Sequence, residues 1–241
     1  MRRTIVIAET FYQNPDSVAA YAKTLSYMSP YNTAHENRLG SRVAWRASRW
    51  RPAHECPFKS SEELIRKLEF LTGEILDRDY WNRDFPVDAD GYPICEHKNV
   101  PHGAWWNCTF HSKHHDQRLG EGVHSHTDRD GWNAVGDDGW AGLIYLDKDA
   151  HRQSGLRTWE NVNPGKRYDW MTPKENWVLC DTLANLYNRI ILHRGDLPHS
   201  GAAGWGHTVS DGRFYQTLFF RTLSKPRTPG VSIALPEVVN E

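Results

Sequence analysis

Two histidines, one aspartate and an arginine are the residues of this chain whose types and spacing best suit chemistry. They are His126 and Asp128 in His126-Thr127-Asp128, then His199, then Arg213 at the head of an apolar run. Two imidazoles and one carboxylate on one face of an iron ion leave three adjacent coordination positions open for O2 and a chelating cosubstrate. An HxD pair can supply two of those ligands from one strand, because residues i and i+2 project from the same side of the pleat. His199 completes the set. Arg213 carries a planar, permanently charged fork suited to a carboxylate. The order and spacing predict an oxygenase with a dicarboxylate cosubstrate.

Each position has a competitor. His124 shares a strand face with His126 and Asp128. The ligand pair is placed at 126 and 128 because Asp128 precedes the turn-like Arg129-Asp130-Gly131, which sets it at a barrel mouth. His193 competes with His199. It directly follows the apolar run Leu186 to Leu192 and reads as the end of that strand, whereas His199 follows a turn and opens a returning strand. On the strand beginning at Arg213, residues Arg213, Tyr215, Thr217 and Phe219 share a face. A buried arginine needs an anionic partner. The candidates are a cosubstrate carboxylate, with the Thr217 hydroxyl as a second donor, or an acid of the chain such as Glu9 or Asp181.

The elements that must hold these residues are mostly strands. Thr4-Ile5-Val6-Ile7 predicts a first strand, and Asn14-Pro15-Asp16-Ser17 predicts the start of a helix through Val18, Tyr21, Ala22 and Leu25. Ser60 and Glu63 have capping-box spacing, and Leu64, Leu68, Leu71 and Ile75, widened by Ile65 and Leu76, form one apolar stripe. That helix is expected to lie on the outside of a sheet. Further strands are expected at 103–110, 123–128, 140–145, 176–178, 186–192 and 214–222, with Gly, Asn-Pro-Gly and Asp-Gly turns between them. Helices followed by many short strands predict a mainly β fold with flanking α: a double-stranded β-helix (jelly roll, cupin-like) buttressed by helices. The expected organisation is a single domain over 1–241, with a core of about 103–222 and a helical and irregular N-terminal support over 1–102.

Composition excludes several alternatives. A net charge of -1 over 241 residues and a pI near 6.9 argue against a nucleic-acid binder. Cys56, Cys95, Cys108 and Cys180 are scattered, without a CxxC, and are expected to be reduced thiols. The N-terminal apolar run is short and interrupted by Glu9, unlike a signal peptide. No window reaches the roughly 20 apolar residues of a membrane span, so a soluble cytoplasmic protein is expected. Eleven tryptophans suggest that some line a pocket.

The layout resembles the Fe(II)/2-oxoglutarate-dependent dioxygenases, on their prolyl-hydroxylase-like branch. The matching elements are His126-Thr127-Asp128, the turn Gly136-Asp137-Asp138-Gly139, the strand Trp140 to Asp147 ending in Tyr145-Leu146-Asp147, then His199, and Arg213 through Thr217. They span roughly residues 103–222. The resemblance implies Fe(II) held by His126, Asp128 and His199, with 2-oxoglutarate held by Arg213, Tyr145 and Thr217. O2 would be the co-reactant, and an unactivated C–H bond of a small molecule would be hydroxylated or otherwise oxidised. An amino acid or a natural-product intermediate is the expected substrate class. A peptidyl hydroxylase and a non-catalytic cupin-like binding protein are the alternatives. Asp128, where the halogenase variant has Gly or Ala, speaks against halogenation. Ser154-Gly155-Leu156 replaces the usual glycine pair, and the Trp-rich N-terminal half has no counterpart in the plain prolyl hydroxylase core. Trp105, Asn107, Arg46 and Arg49 are expected to contact substrate, with 42–51 and 111–122 capping the mouth.

Overall fold

A computed structural model describes residues 5–28, 45–48, 50–84, 106–114, 122–126, 135–163 and 174–226. Its larger sheet is antiparallel and seven-stranded, in the order β1 (Ile5–Ala8), β9 (Ile190–Arg194), β6 (Trp140–Tyr145), β11 (Arg213–Phe220), β5 (Phe110–Lys113), β3 (Trp45–Ser48) and β2 (Tyr27–Met28). The smaller sheet runs β10 (His199–Gly201), β7 (Leu156–Asn161) and β8 (Trp177–Leu183). β4 (Glu74–Leu76) pairs separately with β12 (Thr222–Pro226).

Alternation along the central strands divides the interior into two faces. From β6, β9 and β11, the side chains of Trp140, Ile144, Ile190, Leu192, Phe214, Leu218 and Phe220 enter one cluster with Leu64, Ile65 and Leu68 of helix α2 (Glu62–Thr72). Ala22 of α1 (Pro15–Lys23) and Trp81 of α3 (Arg78–Trp81) join the same cluster. The opposite face presents Leu143, Tyr145 and Ile191, which meet Leu156 of the smaller sheet. Strand period 2 thus gives one sheet a helix-covered back and a front that closes against a second sheet. This is the expected mainly β jelly roll with helices against one side. Each fully buried Leu, Ile or Phe on the back stabilises it by about 1.5–3 kcal/mol.

The helices begin and end for local reasons. Asn14 caps α1 by accepting from Ser17 N at 3.2 Å. α2 is capped by Ser61, which accepts from Leu64 N at 3.1 Å, one residue later than the capping-box spacing predicts; the Ser60 hydroxyl donates to Cys56 O instead. Gly73 stops the helix in the left-handed region at φ 69°. Ile75 and Leu76, expected on the helical stripe, are therefore in β4.

Strand boundaries differ from expectation in four places. β5 starts at Phe110, where residues 103–110 were expected to be the strand; Cys108 at φ 60° interrupts any earlier extension. Residues 177–183 are strand beyond the expected 176–178. β9 begins only at Ile190, after a turn at Tyr187 and Asn188. Within residues 42–51, Trp45–Ser48 is a strand that pairs with β5. Trp81 and Trp140 fill the helix-side core. Among the described residues no helix is long and apolar enough to cross a membrane.

Candidate functional site

Four histidines converge inside the jelly roll. His199 opens β10, and its backbone exchanges two 2.9 Å hydrogen bonds with His124, N–H to carbonyl in both directions. Of the strand expected at 123–128 the described residues, 123–126, form this isolated bridge, which brings two remote histidines side by side. Ring centroids lie 4.5 Å apart for His124 and His199, 4.6 Å for His126 and His199, and 5.3 Å for His124 and His126. One ligand nitrogen from each of these three falls within 4.8 Å of the others, so together they could hold a metal ion. His193, on the inner face of β9, lies 4.1 Å from His199 and stacks on His126 at 5.7 Å.

The imidazoles are already in a ligand-ready state. Nδ1 of His124 donates to Gly122 O at 2.8 Å, and Nδ1 of His199 donates to Leu197 O at 2.9 Å. A carbonyl can only accept, so the proton sits on Nδ1 and Nε2 keeps its lone pair, the usual outer-shell device for fixing a metal-binding tautomer. Burial lowers the pKa of all four histidines, and neighbouring imidazoles push His126 and His199 lower still. They are neutral at pH 7. A neutral, all-nitrogen donor set suits iron, zinc, nickel or copper, so the residues fit the implied metal.

His126 and His199 are thus brought together as the sequence predicts, and His124, which the sequence sets aside, stands with them. Asp128 lies outside the described residues, as do Arg49 and Trp105. Arg46 belongs to β3, opposite Ser112, and its side chain is not described. His193 is more than the end of a strand, since its ring abuts two of the three clustered imidazoles.

Arg213 is 1% exposed and lies over two phenol rings, 5.6 Å from the Tyr145 centroid and 4.9 Å from that of Tyr215. Among the described residues its Nε and Nη2 have no hydrogen-bond partner, and the Tyr145 hydroxyl faces it and the Leu156 backbone. Those two nitrogens form one edge of the guanidinium and present parallel N–H bonds, the geometry that receives a carboxylate bidentately. Neither acid considered as an internal partner is available: Glu9 pairs with Arg189, and Asp181 accepts from Thr158 at 3.2 Å. Burial raises the Tyr145 phenol above its ordinary value, with the Arg213 charge partly offsetting it.

Gly201, two residues after His199, sets the approach to this cation. A Cβ there would stand 3.2 Å from Arg213 Nη1. Gly201→Ala is expected to displace the guanidinium by a few tenths of an ångström and weaken carboxylate binding several-fold. Thermal stability should change little, and a 2-oxoglutarate titration of the variant checks the expectation.

Thr217 departs from its expected role. Its hydroxyl donates to Trp106 O at 2.7 Å and lies 3.2 Å from His111 Nε2 and 3.0 Å from Thr109 Oγ1. Thr109 Oγ1 also donates to Trp106 O, at 2.9 Å, and lies 2.8 Å from His111 Nε2. With both hydroxyl protons aimed at one carbonyl, His111 Nε2 is the donor to the threonines. The expected carboxylate contact of Thr217 is occupied by this internal network.

Asn107 is buried near the cluster. Its Oδ1 accepts from Phe219 N at 3.1 Å while Nδ2 has no partner among the described residues, and the Phe219 ring lies 5.1 Å from His126. Alternation on β11 sets Tyr215 on the face of Arg213, and His111, expected in a loop, is in β5 opposite Tyr215; that register is not visible in one strand.

Among solved structures, the chain is similar to the epimerase SnoN in complex with Fe3+, alpha ketoglutarate and nogalamycin RO, with 11% identity, a TM-score of 0.51, and coverage of 100% of this chain and 88% of that chain. A second structure of SnoN, described as a non-heme alpha ketoglutarate dependent epimerase from nogalamycin biosynthesis, matches at 10% identity and a TM-score of 0.51, over 92% of this chain and 79% of that one. A prolyl hydroxylase from Trichoplax adhaerens, in complex with a hypoxia inducible factor peptide fragment, matches at 14% identity and a TM-score of 0.45, over 91% and 84%. No family model and no curated protein matches the chain. At such identities the likeness is one of fold, and this chain has the double-stranded β-helix fold of an iron- and 2-oxoglutarate-binding structure.

Proposed function

We propose that this protein is an Fe(II)- and 2-oxoglutarate-dependent oxygenase that oxidises a C–H bond of a small molecule. The observation that carries the proposal is Arg213: a buried guanidinium whose bidentate edge has no partner among the described residues, on the same sheet as His193 and against Gly201 of the strand that carries His199. An unpaired buried charge costs several kcal/mol, and a bound carboxylate would offset it.

His126 and His199 would hold the metal, with Asp128 or His124 as the third protein ligand. When bound, the metal and its cosubstrate would supply the activation of O2, which is the oxidant for the C–H bond. The chain's own residues do the rest. Gly122 and Leu197 carbonyls fix the His124 and His199 tautomers. Arg213 grips the far carboxylate, with the Tyr145 hydroxyl as a neighbouring donor. The Tyr145 and Tyr215 rings exclude water from that ion pair and so strengthen it. Asn107 Nδ2 is a spare donor for substrate beside Phe219. Residues 1–241 would act as one domain built around the jelly-roll core.

The test is an anaerobic titration of the apo protein with Fe(II) and 2-oxoglutarate, followed by a small-molecule screen for succinate release. A weak visible charge-transfer band is expected in the wild type and should be absent from His126→Ala and His199→Ala. Paired variants at the third position, His124→Ala and Asp128→Ala, identify that ligand by which one loses the band. A wild type that binds both components without consuming 2-oxoglutarate in air would leave a cupin-like binding protein.

A further inference from the structure

Behind the histidines lies a connection that the ligand set alone does not require. The tight turn from Arg194 to Leu197, closed by Leu197 N donating to Arg194 O at 3.2 Å, presents three of its carbonyls to the cluster. Arg194 O accepts from His193 Nδ1 at 2.9 Å. Gly195 O accepts from His126 N at 2.5 Å. Leu197 O accepts from His199 Nδ1 at 2.9 Å. One turn thus fixes two imidazole tautomers and the backbone of a third histidine.

The turn is itself pinned from the helix side of the sheet. Arg194, 3% exposed, pairs through Nη2 with Glu74 Oε1, and its Nη1 donates to Glu74 Oε2 at 3.1 Å and to Asp138 O at 2.7 Å. Its guanidinium lies 4.0 Å from the Trp140 ring centroid. Glu74 is held in turn by Trp140 Nε1 at 3.0 Å and by the Thr222 hydroxyl at 2.6 Å. Glu74 follows the Gly73 cap directly, so the end of α2 is tied through one ion pair to the turn that carries the histidines.

We propose that Arg194, clamped by Glu74, is a positioning residue for the metal centre. It touches neither metal nor substrate; it holds the turn whose carbonyls aim the imidazoles. Such outer-shell groups typically account for 10–100-fold in metal affinity, because a free ring must lose rotamer entropy on binding. The inference rests on the histidine cluster being the metal site.

Co(II) is the probe, titrated into the apo protein anaerobically and followed by its visible absorption, with far-UV circular dichroism recording the fold. Arg194→Met and Glu74→Gln are expected to bind Co(II) about 10–100-fold more weakly than the wild type, with a changed band shape. Arg194→Lys keeps the charge but loses the fork, and should fall between. Arg189→Met is the control. It breaks the Glu9 pair just before β9, at the end of that strand remote from the histidines, and should cost stability while leaving Co(II) affinity unchanged. If folded Glu74→Gln and Arg194→Lys bind Co(II) as tightly as the wild type, the clamp is structural and the inference is overturned. Should Arg194→Met not fold, those two milder variants still decide the matter. A wild type that binds no Co(II) removes both this inference and the metal site on which it rests.

Discussion

Arg213→Ala is expected to weaken 2-oxoglutarate binding by about 2–5 kcal/mol, the cost of truncating one partner of a buried charge pair. That corresponds to a rise in Kd of roughly 30-fold to several thousand-fold. Co(II) or Fe(II) affinity measured without cosubstrate should change far less, since no metal-facing group is lost. The fold should tolerate the change, or even gain, because the wild-type apo protein holds a buried cation whose Nε and Nη2 have no partner among the described residues. Arg213→Lys should restore little. A lysine keeps the charge but presents a point donor where the pocket between Tyr145 and Tyr215 offers a planar edge. Isothermal titration of both variants decides it. Unchanged 2-oxoglutarate affinity in Arg213→Ala would make the arginine structural and remove the main support for the cosubstrate.

Acid should destabilise the apo protein steeply, and His111 gives the cleanest measure. Burial pushes its pKa down to about 3, whereas in the unfolded chain a histidine titrates near 6.5. A folded pKa below the unfolded one gives stability that is complete above about pH 6.5 and is lost as the pH falls, because the unfolded state takes up a proton that the folded state refuses. The loss is about 1.4 kcal/mol per pH unit and continues until the folded pKa is reached. Over the range from about 6.5 to 3 it amounts to several kcal/mol, a large part of the 5–15 kcal/mol of a typical domain. Urea unfolding of the apo protein at pH 7, 6 and 5 measures the slope. His111→Asn, which keeps a donor for Thr109 and Thr217 but cannot titrate, should lower that slope by one proton's worth. Equal slopes in the two proteins would mean that His111 is protonated in the fold.

Part of this site is legible in the chain itself. His126, His199 and Arg213 were identifiable from residue type and order, and alternation on Arg213–Phe220 correctly put Arg213 and Tyr215 on one face. The stripe Leu64, Ile65 and Leu68 predicted a helix on the back of a sheet, and those residues pack there. These successes share one cause. A period of 2 or 3.6 and a cap or turn residue act over a few bonds, so the sequence states them directly.

What the sequence left open depends on partners far along the chain. Thr217 reads as a spare hydroxyl until Trp106 O arrives beside it, and Glu9 reads as a partner for Arg213 until Arg189 claims it. His124 was set aside because local strand logic favoured the 126 and 128 pair; the antiparallel bridge to His199 brings it into the cluster. The pairing of Glu74 with Arg194 has no local signature at all. The sequence by itself determined the fold class and which face of each element is apolar. The tertiary structure alone decided which donors remain unspent and which imidazoles meet, because register and packing between distant segments fix where each hydrogen bond goes, and no spacing along a single segment encodes that.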